Sequence, residues 1–360
     1  MNQAITPTPT KRIEYIDALR GFTMILVVYY HLAQRTFGYE LTFINQILVS
    51  FRMPLFFFVS GFIGYRASMV WNRQIWWTMS KKKILIQLLP TLVIGLVCTY
   101  TYRHLDFKAF ITDNMKLGYW FTIVLLEMFL IVYTVNLLVY TPNSEVFKKR
   151  QRFTIIALAV VLFFLAFICK ALPTLERVCD IFSLHNTFKY FLYFAFGYIC
   201  SMEKEKFHEI IGSRYFMFVV IISFAICFYI NWFYIYPLID NSVVYRMLYF
   251  IIRTFNGFLG LLIVYNTFRT YQDSFTSDKK IGRALQYIGK RTLDIYLLHY
   301  FFFPVYMPHL GRVLSVGNNI VLELVIVGGL SLIIVGLCLV VSNVLRTSPI
   351  LAKYLFGAKK

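Results

Sequence analysis

Along most of its length the chain alternates apolar runs, many of them near twenty residues, with short polar segments. A helix of that length matches the hydrocarbon thickness of a bilayer, so each long run predicts a membrane span. The runs fall near 12–31, 44–68, 84–100, 119–140, 153–168, 188–200, 215–236, 243–268, 293–306 and 320–345. The pattern predicts an all-α, polytopic integral membrane protein of about ten transmembrane helices. A polar tail at 1–11 with two Thr-Pro pairs is expected to be disordered. A membrane domain over 12–346 and a C-terminal tail over 347–360 complete the domain plan. No cleavable signal peptide is expected, because the first apolar run keeps Asp17 and Arg20 within it.

The polar positions inside these runs carry the next layer of information. The first run, RIEYIDALRGFTMILVVYYH, holds Asp17, Arg20 and His31. Eleven residues separate Arg20 from His31, close to three turns, so one helix face presents both, about 16 Å apart along the axis. Asp17 joins that face. Arg52, Glu127, Arg253 and His299 also fall inside apolar runs. Charges retained at such depth face a polar cavity or a partner.

If the N-terminus is cytoplasmic, most of the 36 lysines and arginines fall in cytoplasmic segments, the asymmetry that sets membrane topology. An even number of spans then puts both termini in the cytoplasm. On that topology Arg52, Glu127 and Arg253 sit roughly 12 to 15 Å deep from the outer side and share one layer. Plain structural readings stand beside the functional ones. Glu127 can pair with Arg52 or Arg253 simply to fix packing. Arg20 can pair with Asp17 at i, i+3. His31 fits an interfacial aromatic belt with Tyr29 and Tyr30. His299 fits a packed histidine, and Lys81, Lys82 and Lys83 are first a topology signal.

Composition excludes a water-soluble domain. Of 360 residues 59% are hydrophobic, 19% aromatic and only 15% charged, and the mean hydropathy is +0.65. The net charge of +19 invites a nucleic-acid reading, but its confinement to short inter-span segments argues against one. The six cysteines show no metal-ligand spacing, and no metal is expected.

Several stretches together resemble the membrane-bound acyltransferase 3 family. They are IDALRGFTMILVVYYH, FRMPLFFFVSGF, KKKILIQLLP, YWFTIVLLE and IGKRTLDIYLLH, in the family's order and over nearly the whole chain. MPLFFFVSG points toward the fucose 4-O-acetylase-like subgroup. The resemblance implies a ten-helix O-acyltransferase of the inner (cytoplasmic) membrane. Such an enzyme takes an acyl group, commonly acetyl, from cytoplasmic acetyl-CoA or another acyl-CoA. It delivers that group to a hydroxyl of a cell-surface polysaccharide or lipid-linked glycan. By the same resemblance His31 matches the essential histidine and Arg20 its paired arginine. Gln87 departs from the family where an arginine is common, which weakens a phosphate-binding role for that stretch.

The residue types suit the chemistry. Acyl transfer to a hydroxyl needs a base and a positive group for the developing oxyanion. The expected catalytic set is His31 as base with Arg20, Asp17, Glu127 and Arg52. Arg20, Lys81, Lys82 and Lys83 are expected to hold CoA phosphates, and Arg253 and His299 to contact the acceptor. The competing reading is a glycan or lipid transporter whose path is lined by the same charges.

Overall fold

The computed structural model describes residues 12–37, 42–67, 69–171, 173–238, 242–304, 306–317 and 320–356. The tail expected at 1–11 lies outside the described residues, as do 357–360. Among the described residues the chain is helical, with no strand.

The helices run α1 (Glu14–Phe37), α2 (Phe43–Gly64), α3 (Arg73–Lys83), α4 (Leu89–Arg103), α5 (Phe107–Thr112), α6 (Trp120–Val139), α7 (Ser144–Ala171) and α8 (Pro173–Phe182). They continue as α9 (Leu184–Met202), α10 (Lys204–Gly212), α11 (Arg214–Ile230), α12 (Val243–Thr270), α13 (Lys280–Lys290), α14 (Thr292–Leu298), α15 (Met307–Gly317), α16 (Ile320–Leu345) and α17 (Pro349–Phe356).

Seven helical stretches among the described residues are long and apolar enough to cross a membrane: α1, α2, Arg73–Thr101, α6, Arg214–Leu238, Val244–Thr270 and α16. Lipid explains their outward faces. α11 exposes Phe218, Ile221 and Tyr229, and α16 exposes Val325, Ile333 and Val340; apolar side chains in that number face hydrocarbon, not water. The protein is a multi-pass membrane protein.

Three expected spans take another form. Those near 153–168 and 188–200 lie in α7 and α9, which are helical but outside the seven. The one near 293–306 is not a single helix: α14 tightens into a 3₁₀ turn at His299–Phe302 and then leaves helical geometry. Pro304 supplies the reason, since it has no N–H to donate and biases the residue before it toward extended backbone; Phe303 is extended there. Pro90 lies at the start of α4. The missing Pro90 N–H and its ring are accommodated by a π-helical turn at Ile84–Leu88, closed by a bond from the Leu89 N–H to the Ile84 carbonyl. The C-terminal tail expected from 347 folds as α17 over Pro349–Phe356, with Phe356 buried under Arg346, whose guanidinium lies 4.8 Å from its ring.

Glycines bring the central helices into backbone contact, the packing mode that serves where burial from water cannot drive association. α2 packs on α9 and α1 on α13. A Cβ at Gly21 would stand 2.0 Å from the Leu285 carbonyl oxygen, and one at Gly289 1.8 Å from that of Asp17. Gly61 and Gly197 make the matching approach between α2 and α9, each with a Cβ position 2.0 Å from a carbonyl oxygen. Gly311 of α15 meets the Thr36 carbonyl at the far end of α1 in the same way. α1 is thus held against neighbours at both ends.

One buried charge network secures α14. Arg346 reaches both oxygens of Asp294 at 2.9 Å, and the Ser342 hydroxyl donates to Asp294 at 2.5 Å. Arg291 adds a contact of 3.4 Å. The Asp294 side chain is only 2% exposed, so the paired geometry offsets the desolvation of both ions.

Three substitutions test these contacts. Gly21→Leu should lower the thermal unfolding midpoint of the detergent-solubilised protein, by the equivalent of about 1–3 kcal/mol or more, because a backbone carbonyl cannot yield as a side chain can. Gly328→Ala, where nothing lies within 4 Å of the added Cβ, should leave that midpoint unchanged or raise it by up to about 1 kcal/mol. Asp294→Asn should cost about 1–3 kcal/mol by leaving the part-buried Arg346 without its charged partner; a midpoint matching the unsubstituted protein would refute the network's role.

Candidate active site

α1 carries the site because its 3.6-residue period keeps Arg20, Met24, Val27, His31 and Gln34 on one face. That face lines a cavity of about 500 Å³ between α1, α2, the α3–α4 junction, α6, α9, α12 and α14. Arg20 stands toward one end and His31 toward the other. The periodicity argument from sequence therefore ends in a shared cavity rather than a helix contact.

At the Arg20 end the guanidinium is braced on two sides. Nη1 donates to Asp17 Oδ1 at 3.4 Å, and Nη2 to Thr292 Oγ1 at 3.0 Å. Asp17 itself does not line the cavity; it acts through Arg20. Lys83 also lines this cavity, its ammonium 3.4 Å from the Phe129 ring centroid. Gln87, a further lining residue, keeps its Oε1 buried and without a hydrogen-bond partner. Lys81 and Lys82 go elsewhere. The turn of the helix sends them to a separate groove of about 460 Å³ shared with Trp77, Lys353 and Tyr354. The triple-lysine run expected to act as one phosphate site is split between two surfaces.

At the other end His31 meets α14 and the 3₁₀ turn that follows it. The Tyr300 hydroxyl lies 3.4 Å from each ring nitrogen of His31, and the two rings are 5.3 Å apart. His299 lies behind this pair and does not line the cavity, contrary to the expectation that it contacts the acceptor. Its Nδ1 is 2.7 Å from the Tyr296 carbonyl and 3.2 Å from that of Ile295. Carbonyls only accept, so Nδ1 carries a proton and donates. His299 Nε2 is buried without a partner. The His299 and His31 rings are 5.4 Å apart.

Arg52 faces the cavity from α2, its guanidinium carbon 3.4 Å from the Tyr30 ring centroid. The residue is only 7% exposed, yet its Nε and Nη1 are buried without a hydrogen-bond partner. Arg253 of α12 and Lys189 of α9 line the same cavity. Arg253 donates through Nη1 to the Tyr249 hydroxyl, and Lys189 lies 5.1 Å from the Tyr190 ring.

Glu127 does not pair with either arginine. It accepts a short hydrogen bond from the Thr187 hydroxyl and is absent from the cavity lining, because α6 turns it toward the start of α9. The layer of Arg52, Glu127 and Arg253 expected from depth alone is therefore two arginines without the carboxylate.

The turn entering α6 supports this end of the site. Lys116 and Leu117 have positive φ of 48° and 52°, and Gly118 reaches 108°, a conformation that favours glycine. Lys116 holds the turn by donating to the carbonyls of Ile111, Asp113 and Asp180 at 2.5–2.9 Å. Burial pushes the Lys116 ammonium below its usual pKa, against the pull of Asp113, Asp180 and Glu127. The Gly118 carbonyl in turn accepts from the Tyr296 hydroxyl at 2.8 Å.

Tyr300 and Lys189 carry no separate signal in the sequence. Tyr300 is one tyrosine among 26. Lys189 reads as an ordinary loop charge at a span edge. Asp294 is an acid inside an apolar run, the one mark that might have singled it out. Among the described residues no three His, Cys, Asp or Glu side chains gather as metal ligands.

Comparison with known proteins adds to this geometry. A family model described as an acyltransferase domain matches residues 13–342. The chain is similar to glucans biosynthesis protein C of Escherichia coli strain SMS-3-5 / SECEC, 26% identical over 99 residues, 24% of this chain and 26% of that protein. The same protein from strain K12 / DH10B is 25% identical over 99 residues, with the same coverage. The matched stretch spans about a quarter of the length of these relatives. No solved structure matches.

Proposed function

The chain belongs to the acyltransferase 3 family and is an acyltransferase, and from that premise we propose that it moves an acyl group, acetyl in the first instance, from acyl-CoA to a hydroxyl of a cell-surface polysaccharide or lipid-linked glycan. The protein would sit in the inner (cytoplasmic) membrane with both termini in the cytoplasm. α7, α9 and the α14 segment would add three crossings to the seven long apolar ones and make ten. The glycan acceptor draws support from the name of the relatives, glucans biosynthesis protein C.

One observation carries the reading: Arg20, Lys83, His31 and Arg52 line a single cavity. Cations at one end and a histidine beside further cations at the other suit a donor gripped by its phosphates and reacting at its thioester. In this arrangement Arg20, steadied by Asp17 and Thr292, and Lys83 take the CoA phosphates. His31, held by the Tyr300 hydroxyl, takes the proton of the acceptor hydroxyl as its oxygen attacks the thioester carbonyl carbon. Arg52 stabilises the oxyanion that forms there. The C–S bond then breaks, and the departing thiolate recovers the proton from His31. The products are an O-acyl glycan and CoA with its thiol intact. His299 is a positioning residue behind the base, and Lys81 and Lys82 take no part at the cavity.

Membranes containing the protein should transfer labelled acetyl from acetyl-CoA to glycan. His31→Ala should lower that transfer by about 10²–10⁴-fold while leaving insertion and the unfolding midpoint near those of the parent; full transfer by this variant would remove His31 as the base. Arg20→Gln and Lys83→Gln should raise KM for acetyl-CoA more than they lower kcat, since phosphate contacts act on binding. An unchanged KM in both would move the CoA site off this cavity.

A further inference from the structure

The charge balance of the cavity exceeds what the proposed chemistry uses. Its lining contains Arg20, Lys83, Arg52, Lys189 and Arg253, and among the described residues it contains no carboxylate. Two of these cations, Arg20 and Lys83, suffice for a donor's phosphates. A single transient oxyanion calls for one more. Two cations on the His31 side remain, in a space walled by Trp120, Phe121 and Tyr190.

Arg52 shows that this side lacks a counter-charge from the protein itself. Its Nε and Nη1 are buried and without partners, and a buried guanidinium with idle donors is costly unless something arrives to accept from them. Glu127, the nearest expected partner in sequence terms, is engaged by Thr187. Among the described residues no carboxylate lies within ion-pair distance of Arg52 or Arg253. The Tyr30 ring face, 3.4 Å away, holds the Arg52 guanidinium in place, while Arg253 is held by its Nη1 bond to the Tyr249 hydroxyl. Stacking of this kind steadies a guanidinium while leaving its edge donors for a planar anion.

We propose that Lys189 and Arg253 form an anion subsite beside Arg52 on the His31 side of the cavity, which selects a substrate carrying a negative group there. The chemical class is a carboxylate or phosphate ester within reach of the reacting centre. It can arrive on the acceptor, as an acid sugar or a phosphate-linked glycan, or on the far end of the acyl chain. This inference rests on the acyltransferase reading for the names donor and acceptor, but the charge selectivity it asserts is a binding property and is measured without turnover.

The full chain in neutral phosphatidylcholine nanodiscs should be titrated calorimetrically with two matched pairs of probes. The acceptor pair is hexyl glucuronide against hexyl glucoside, and the acyl pair is glutaryl-CoA against pentanoyl-CoA. The subsite predicts that the anionic member of one pair binds at least about tenfold more tightly than its neutral partner. The pair that shows the preference identifies the carrier of the charge. Lys189→Gln and Arg253→Gln should each shrink that preference to about threefold or less, with the neutral member bound as before. A purely catalytic role for these cations would leave charged and neutral probes alike.

Equal binding of both members in both pairs by the unsubstituted protein overturns the subsite, and so does a preference that survives in both variants. The unsubstituted measurement decides the matter even if a variant fails to fold. A preference in the acceptor pair without binding of either CoA ester would leave the subsite standing and refute the use of acyl-CoA. Transfer of labelled acetyl with no charge preference would do the reverse.

Discussion

The backbone contact between α1 and α13 is the constraint on which the site depends. With hydrogen at Gly21 and Gly289, the two helices approach until carbonyl oxygens occupy the space of absent side chains. That approach puts the start of α14, which follows α13 after one residue, beside the polar face of α1. Thr292 then reaches Arg20, and the 3₁₀ turn one helix further on brings Tyr300 to His31. A wider crossing would separate both pairs at once. In hydrocarbon, close packing and polar contacts supply the attraction that burial from water supplies in soluble proteins, so small residues at a crossing are structural in a direct sense.

The second organising feature is how the protein manages charge in an apolar medium. Asp294 meets Arg346, Arg291 and Ser342, and its charge is fully answered. Glu323 is buried too, and it accepts from the Tyr29 and Thr42 hydroxyls at 3.0 and 2.8 Å. Lys116 spends its donors on three carbonyls. These groups hold helices and turns together. The guanidinium of Arg52 is treated differently: it is stacked, buried and left with unfilled donors at a cavity wall. The contrast separates charges that serve the fold from charges that await a ligand.

The same contrast divides residues that looked alike in the sequence. Lys81, Lys82 and Lys83 are consecutive, yet helical rotation of about 100° per residue sends them to different surfaces, and only Lys83 reaches the cavity. Residue counting puts Glu127 at the depth of Arg52 and Arg253, but depth says nothing of azimuth, and α6 directs it to Thr187. His299 sits in a family-like motif and still ends behind the lining, because the chain tightens to a 3₁₀ turn at that residue.

Properties that are local to a segment were legible in the sequence. The helical class, the placing of the long apolar spans and the common face of Arg20 and His31 follow from bilayer thickness and helical periodicity, which need no knowledge of neighbours. The motifs that resemble the acyltransferase 3 family pointed to the family. Which side chains share the cavity was decided only by the tertiary structure. The entry of Lys189, the approach of Tyr300 to His31, the exit of Glu127 and the division of the lysine run each depend on crossings between helices far apart in the chain. Those crossings are set by where two backbones can touch, and a single sequence read segment by segment does not contain that pairing.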